Sequence, residues 1–211
     1  MKVIIVGAGG HGSVVADILR ASLRAGSNVE PIGFVDDRSQ TDTVHGLPMF
    51  GPTAQLAFVP HDAVVVAVGD NRTRQRLFEI AQRAGERLVS AVHPSAIVAS
   101  DVSIGEGSVV CAGAIINPGT VVGPNVIVNT ASSLDHHNVV GAHVHVAPGV
   151  HTGGDVRIGD GVMLGIGAVV IPGRRLGSWS TIGAGAVVVR DIDPETVVIG
   201  VPAAPMRRPV E

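Results

Sequence analysis

The sequence predicts two kinds of structure in one chain, a small Rossmann-like α/β sheet followed by a solenoid of short parallel β-strands. Three observations lead to this fold class. The first part of the 211-residue chain alternates strand-like and helix-like segments, and the rest carries an aliphatic residue at every sixth position. In addition, valine occurs 38 times and leucine only nine times, a bias that suits pleated strands better than a helical bundle.

The N-terminal segment reads as alternating strands and helices. The predicted strands are 2–6, 31–35, 63–68 and 88–91, and the predicted helices are 13–25 and 72–84. The strand at 63–68 is a continuous apolar run, which is typical of a buried parallel strand. We therefore expect a small doubly wound parallel sheet, with one domain over residues 1–93 and a second over residues 94–211.

A six-residue repeat dominates the sequence from Val98 to Val188. Steps of six meet 16 positions, of which 15 are aliphatic and only Thr152 is not. Glycine often follows these positions, where its freedom to adopt positive φ suits a corner. Three faces of six residues make a coil of 18, so the repeat predicts a three-sided solenoid.

The glycine turn from Gly7 to Gly12 has the pattern G-x-G-x-x-G between a strand and a helix, and Asp36 follows 24 residues after Gly12. This pattern is the fingerprint of dinucleotide binding, so an NAD-dependent oxidoreductase is a rival interpretation. The domain is short for two mononucleotide halves, however. Backbone amides at a helix N-terminus bind any phosphate, including the diphosphate of a nucleotide sugar.

Five of the nine histidines fall within sixteen residues, at His136, His137, His143, His145 and His151. No two of them are separated by 18 residues, so none stack between coils, and we predict no metal site. Histidine is the usual general base near neutral pH. His136 has a glycine one coil later, Gly154, with no side chain to obstruct a thioester arm.

A GAGGHG turn in a short α/β domain, followed by a hexapeptide solenoid, resembles the NeuD/PglD-type sugar acetyltransferases of the hexapeptide-repeat superfamily. The resemblance extends to the segment 199–203. It implies a left-handed parallel β-helix, a homotrimer with active sites between subunits, acetyl-CoA as co-substrate and a nucleotide-linked amino sugar as acceptor. Bacillosamine-pathway and perosamine N-acetyltransferases would be close relatives.

The resemblance also implies site residues. The stretch 134–141 resembles the catalytic turn of the family, with His136 as the base. His137 stands where the family has an acid, so His137, Asp135 or a neighbouring subunit would orient the base. The implied substrate-binding positions are Gly9, Gly10, His11, Asp36, Asp37, Gly69, Asn71, Arg74, Asn129 and Thr130. The implied acetyl-CoA positions are His145, Gly154, Ile166 and Ala184. Four arginines could contact the coenzyme phosphates, although plain surface charge is the favoured interpretation of their positions. They are Arg174, Arg175, Arg207 and Arg208.

These observations predict acetyl transfer from acetyl-CoA to the amino group of a nucleotide-linked sugar. O-acetylation of a sugar such as sialic acid and a non-catalytic solenoid stay open as alternatives. A net charge of −3 and a longest apolar block of six residues predict no nucleic-acid partner and no membrane insertion. A single cysteine fits a reducing, cytoplasmic compartment. The sequence names neither the sugar nor the nucleobase.

Overall fold

The computed structural model describes residues 1–39 and 41–206; Arg207 and Arg208 lie outside the described residues. The N-terminal unit is built on a three-stranded parallel sheet in the order β2-β1-β5. Its elements are β1 (Lys2–Val6), α1 (Gly10–Arg24), β2 (Glu30–Val35), β3 (Thr43–Val44), β4 (Leu47–Pro48), a 3₁₀ helix (Thr53–Phe58), β5 (Ala63–Val66) and α2 (Asn71–Arg83).

Three details of this unit differ from the sequence prediction. Helix α1 begins at Gly10, so the second half of the glycine turn forms the first helical turn. A Cβ on Gly12 would collide with the carbonyl oxygen of Gly7, and this close approach explains the glycine there. The predicted strand 88–91 is divided, because Leu88 forms a single bridge with Val64 of the sheet and Ala91 begins strand β6 of the solenoid. The β3–β4 hairpin and the 3₁₀ helix were not predicted, because both are short and irregular.

Alternate residues of β1 point to opposite sides of the sheet, as in any strand. On one side they pack with helix α2, through Phe78 and Ala81. On the other side they pack with helix α1, whose apolar residues also contact Val109, Cys111 and Ile127 of the solenoid. Helix α1 is therefore buried between the sheet and one face of the solenoid.

The solenoid is a three-sided prism of parallel strands, the expected product of an 18-residue coil. Face I consists of β6 (Ala91–Val92), β9 (Val109–Val110), β12 (Ile127–Val128), β15 (His145–Val146), β18 (Met163–Leu164), β21 (Thr181–Ile182), β23 (Val197–Ile199) and the antiparallel β24 (Ala204–Pro205). Face II consists of β7 (Ile97–Val98), β10 (Ile115–Ile116), β13 (Ser133–Leu134), β16 (His151–Thr152), β19 (Val169–Val170) and β22 (Val187–Val188). Face III consists of β8 (Ser103–Ile104), β11 (Val121–Val122), β14 (Val139–Val140), β17 (Arg157–Ile158) and β20 (Arg175–Leu176).

The second residue of each two-residue strand, for example Leu134 and Leu164, lies on the predicted six-residue ladder and points into the prism. The exception, Thr152, is also buried. Its hydroxyl lies 3.4 Å from the carbonyl oxygen of Ser133 and 3.4 Å from the amide nitrogen of Asp135. A buried polar group with backbone partners is tolerated in such a core, which accounts for the one break in the repeat.

The N-terminal unit covers face I from β9 to β15, because the outward residues Val109, Ile127 and His145 are buried against it. Faces II and III are uncovered and expose apolar side chains, with Ile97 at 64% and Val121 at 47% relative exposure. The edge between faces II and III lies opposite face I. No helix among the described residues combines the length and apolar character needed to cross a membrane.

Candidate active site

The glycine turn opens onto a cavity of about 480 Å³ at the carboxyl ends of the sheet strands, lined by Gly9, Gly10, His11, Asp36, Asp37 and Gly69 among others. Side chains at Gly9 or Gly10 would meet nothing within 4 Å. Gly9 is the N-cap of helix α1, and neither a side-chain cap nor an acidic first-turn residue occupies this helix end. The exposed amides and the helix dipole favour negative charge at this helix end, and phosphate binding there stays a prediction.

The two aspartates after β2 line this cavity and also shape it. The Asp36 carboxylate accepts the Ala8 amide at 2.7 Å and the Arg38 amide at 2.7 Å, which joins the glycine turn to the loop after β2. Asp37 accepts both the amide and the hydroxyl of Thr53 at 2.8 Å. These hydrogen bonds lower the pKa of Asp37. A contact between the two aspartates and a nucleotide stays a prediction.

Arg74 does not lie free in the cavity as its predicted substrate-binding role requires. Its side chain is buried at 1% exposure. Its five N–H groups all donate to protein acceptors, namely the carbonyl oxygens of Val68, Gly69, Asn125, His143 and Val144 and the side-chain oxygen of Asn71. No donor remains for a ligand, so Arg74 joins the N-terminal unit to the solenoid.

Asn71 has a similar structural role, because its amide nitrogen donates to the carbonyl oxygens of Gly161 and Val162. The predicted substrate contacts of Arg74 and Asn71 are therefore replaced by contacts between the two units. Sequence reasoning missed this role, since both side chains follow β5 at the place where ligand-binding residues of parallel sheets lie.

His145 also lies between the two units, and its contact with acetyl-CoA stays a prediction. The Asn129 amide nitrogen lies 3.1 Å from its Nε2, and the carbonyl oxygen of Gly69 lies 3.1 Å from its Nδ1. The Thr130 amide, which donates to Asn129 Oδ1, sets the orientation of the Asn129 amide. Asn129 therefore donates to Nε2, and the proton of His145 sits on Nδ1.

His145 is buried and His11 is half-buried, and their ring centroids lie 6.3 Å apart. Burial, assisted by their mutual repulsion and by Arg74, lowers the pKa of His11 to about 4. Burial and the neighbouring Arg74 lower the pKa of His145 to about 4. Both rings are neutral at pH 7. His11 Nε2 is buried without a protein partner among residues 1–39 and 41–206, and the ring lines the cavity.

We expect the stability of the protein to fall as the pH drops from about 6.5 to about 4. The unfolded chain protonates both histidines in this window, while the folded chain keeps them neutral, so acid favours unfolding. Urea unfolding at several pH values measures this loss. His145→Gln should flatten the pH dependence, whereas His45→Gln, at an exposed histidine of the N-terminal unit, should leave it unchanged. An equal acid sensitivity in His145→Gln would contradict the assignment.

The predicted base lies on the edge between faces II and III, in the turn from β13 to β14. His136 and His137 are exposed, and their Nδ1 atoms lie 3.0 Å apart. The His136 ring lies over the backbone of Gly154, so a Cβ there would come within 2.9 Å of Nδ1 and nearer still to other ring atoms. His137, in the left-handed backbone region at φ 57°, lies over Gly119 in the same way. Gly154 and Gly119 thus leave the space that the two imidazole rings occupy.

Family models match both parts of this chain. A model of the PglD N-terminal domain matches residues 2–81, and a bacterial transferase hexapeptide model of six repeats matches residues 155–190. The acetyltransferase domain of PglB from Neisseria gonorrhoeae FA1090 is 41% identical, with 97% of this chain and 99% of that chain covered and a TM-score of 0.90. The chain belongs to the PglD-type acetyltransferases.

Two further PglD-type relatives indicate the range of the family. PerB from Caulobacter crescentus, solved with CoA and GDP-perosamine, is 40% identical with 98% of both chains covered and a TM-score of 0.90. UDP-N-acetylbacillosamine N-acetyltransferase from Bacillus subtilis (strain 168) is 35% identical over 115 residues. That match spans about half of the curated relative, 51% of its length, and 53% of this chain.

The predicted family and the predicted fold class, a left-handed parallel β-helix after a small α/β sheet, are confirmed by these matches. The dinucleotide oxidoreductase suggested by the glycine turn is a different family. The boundary between residues 93 and 94 stays a prediction, and β6 at Ala91–Val92 already pairs with β9 of the prism.

The predicted acetyl-CoA residues of this PglD-type chain do not lie together; they lie on different edges or faces of the prism. Gly154 lies beneath His136, so the space above it holds the base rather than a thioester arm. Ile166 and Ala184 are exposed in successive turns of the edge between faces I and II, as is Thr130 two coils earlier. The thioester arm is therefore expected beside His136 and not directly on Gly154.

The cavity and the base of this PglD-type chain lie on opposite sides of the prism. The N-terminal unit with its cavity is attached to face I, whereas His136 lies on the edge opposite that face. His136 is absent from the residues that line the cavity. One chain alone does not bring the predicted base to the predicted diphosphate site.

One carboxylate near the base was not predicted. Asp155 follows His137 by 18 residues and lies one coil below it, with donor atoms of His136, His137 and Asp155 all within 4.8 Å of one another. The repeat arithmetic that paired His136 with Gly154 would have found it. All three side chains are exposed, and we interpret the group as one that moves a proton rather than as a metal site.

Proposed function

We propose that this chain transfers the acetyl group of acetyl-CoA to the amino group of a nucleotide-linked amino sugar, with His136 as general base. The observation that carries the proposal is the placement of His136. Its imidazole is exposed on a prism edge, seated over Gly154 and held through Nδ1 by His137, so Nε2 is free to take a proton.

In the proposed reaction the sugar amine attacks the carbonyl carbon of the thioester. The new C–N bond forms, the C–S bond breaks and CoA leaves as a thiolate. The proton lost by the amine goes to Nε2 of His136 and then to the thiolate. An acyl-enzyme on Cys111 does not fit this site, because Cys111 is buried between helix α1 and face I and burial raises its pKa to about 11.

The acceptor is proposed to bind through its diphosphate at the N-terminus of helix α1. Gly9 and Gly10 let a phosphate approach the amides, and the helix dipole favours its negative charge. Asp36, Asp37 and Gly69 line the same cavity, where they would contact the nucleoside. The unpartnered Nε2 of His11 would then meet the phosphate or the sugar.

A homotrimer is proposed because one chain places the cavity and the base on opposite sides. A neighbouring copy could present its cavity and its face I–II edge, with Asn129, Thr130, Ile166 and Ala184, to the edge that carries His136. The exposed apolar residues Ile97, Val121 and Val139 on faces II and III would be covered by such contacts. In this arrangement residues 1–93 bind the acceptor and residues 94–211 bind acetyl-CoA.

A cytoplasmic location is proposed on the cysteine content. Cys111 is the only cysteine of the chain, so no internal disulfide is possible. The absence of disulfides is usual in a reducing compartment.

A thiol-release assay with acetyl-CoA tests the proposed function. The acceptors are GDP-linked, UDP-linked and dTDP-linked amino sugars, the same nucleotides without an amino group, and free sialic acids. We expect CoA release with at least one nucleotide amino sugar and none with its hydroxyl analogue. Release with sialic acid alone would replace the proposal by O-acetylation. Failure to bind acetyl-CoA, measured by calorimetry, would favour a non-catalytic solenoid.

A further inference from the structure

A histidine that acts as general base needs two kinds of support. A partner on the second ring nitrogen fixes the tautomer, and a nearby negative charge stabilises the imidazolium that forms. His137 lies 3.0 Å from His136 through the Nδ1 atoms and can supply the first. A neutral imidazole cannot supply the second, so a carboxylate must come from elsewhere.

Asp135, the acid beside the base in the sequence, is engaged by other groups. Its Oδ1 accepts the side-chain amide of Asn117 at 2.9 Å and the backbone amide of His136 at 2.9 Å. These bonds, with a smaller contribution from the charge of His136, lower the pKa of Asp135, and both of them hold the same carboxylate oxygen. Asp101 is likewise engaged, since it accepts the Gly119 amide at 2.9 Å.

Asp155 meets the requirement from the next coil. Its backbone amide donates to the carbonyl oxygen of His136 at 3.0 Å, so the two turns are stacked directly. Its carboxylate lies within 4.8 Å of the donor atoms of both rings, a gap that one water or a small side-chain rotation closes. The nearest cation along this edge is Arg174, one turn further. It lies 3.8 Å from Asp191 and is paired with that carboxylate rather than with Asp155.

We propose that Asp155 is the positioning carboxylate of the base, acting with His137 in place of the acid that the sequence lacks after His136. The Nδ1–H of His136 donates to Nδ1 of His137, which leaves Nε2 of His136 as the proton acceptor. When Nε2 takes the proton of the attacking amine, Asp155 balances the positive charge on the paired rings. The proposal rests on the proposed function for the identity of that amine.

The first test is Asp155→Asn, in which the charge is lost and the shape is kept. Asparagine tolerates the left-handed backbone found here at φ 59°, so the variant should fold. We expect kcat to fall roughly tenfold, the size of effect that one opposite charge at such a distance exerts, with KM for both substrates unchanged. Asp17→Asn, at an exposed position of helix α1, is the charge-matched control and should keep full activity.

A rescue variant separates positioning from mere structural support. Adding His137→Glu to Asp155→Asn returns a carboxylate to the side of the base, and we expect most of the lost turnover to return. A variant Asp155→Asn with unchanged kcat would overturn the proposal. A rise in KM without a change in kcat would also overturn it, because Asp155 would then bind substrate.

NMR of the histidine ring nitrogens at a fixed pH gives a readout that needs no turnover. Loss of the neighbouring carboxylate should change the ring-nitrogen chemical shifts of His136 and His137 in Asp155→Asn and leave those of His151 unchanged. Unchanged shifts at His136 and His137 would overturn the proposal. If the wild-type protein released no thiol from any acceptor, the proposed function would fail, and this measurement would still decide the role of Asp155.

Discussion

Replacing His136 with alanine is expected to lower kcat roughly 10²–10⁴-fold, the usual contribution of a positioned general base. The attacking amine would have to release its proton to water, while the proposed acetyl-CoA and nucleotide sites stay intact. Steady-state kinetics should therefore show little change in either KM. His151→Ala, at another exposed solenoid histidine, is the matched control, and near-normal turnover in His136→Ala would remove the residue from its assigned role.

Mixing experiments show whether the base and the cavity belong to different copies of the chain. Gly9→Asp places a carboxylate at the N-cap of helix α1, where it caps the helix and repels a diphosphate. Co-expression of Gly9→Asp with His136→Ala should restore activity, because random assembly pairs one intact base with one intact cavity in about one quarter of the sites. A site contained within one chain would give no recovery.

The solenoid was predictable because each of its strands is specified by local residues. An aliphatic residue points inward at every sixth position, and the strand partners follow at a fixed distance of one coil, as between Ser133 and His151. The same arithmetic placed Gly154 under His136. The one deviation, Thr152, was visible in the sequence, but the backbone partners that make it tolerable were visible only in the structure.

The contacts between the two units were not predictable in this way. Arg74 donates to carbonyl oxygens that are 51 residues away at Asn125 and 70 residues away at Val144, and no periodicity relates helix α2 to those turns. His145 was assigned to the coenzyme by the family resemblance, and its outward direction on face I brings it against Gly69. The packing of one unit on the other decided the environment of both side chains.

Replacing Arg74 with methionine is expected to destabilise the protein by roughly 3 kcal/mol or more, because each buried acceptor left without a donor costs about 1–3 kcal/mol. Burial lowers the pKa of Arg74 to about 10, so the side chain is a buried cation at neutral pH, held by backbone and amide oxygens. Urea unfolding measures the loss. Arg83→Met, at an exposed position of the same helix, should change stability by less than about 1 kcal/mol.

The pattern of damage in the Arg74 variants decides between a structural role and a ligand-binding role. Arg74→Lys should also be strongly destabilised, since an ammonium group has three donors and lacks the planar fork that reaches acceptors from both units. Hydrogen exchange of the backbone amides should rise first in the turns around Gly69 and Val144. The carbonyl oxygens of these turns accept from Arg74 where the two units meet. A variant that stayed as stable as the wild type and lost only nucleotide-sugar affinity would instead support the substrate-binding role that the sequence suggested. The structure opposes that outcome, because each N–H of the guanidinium already has an acceptor within the protein.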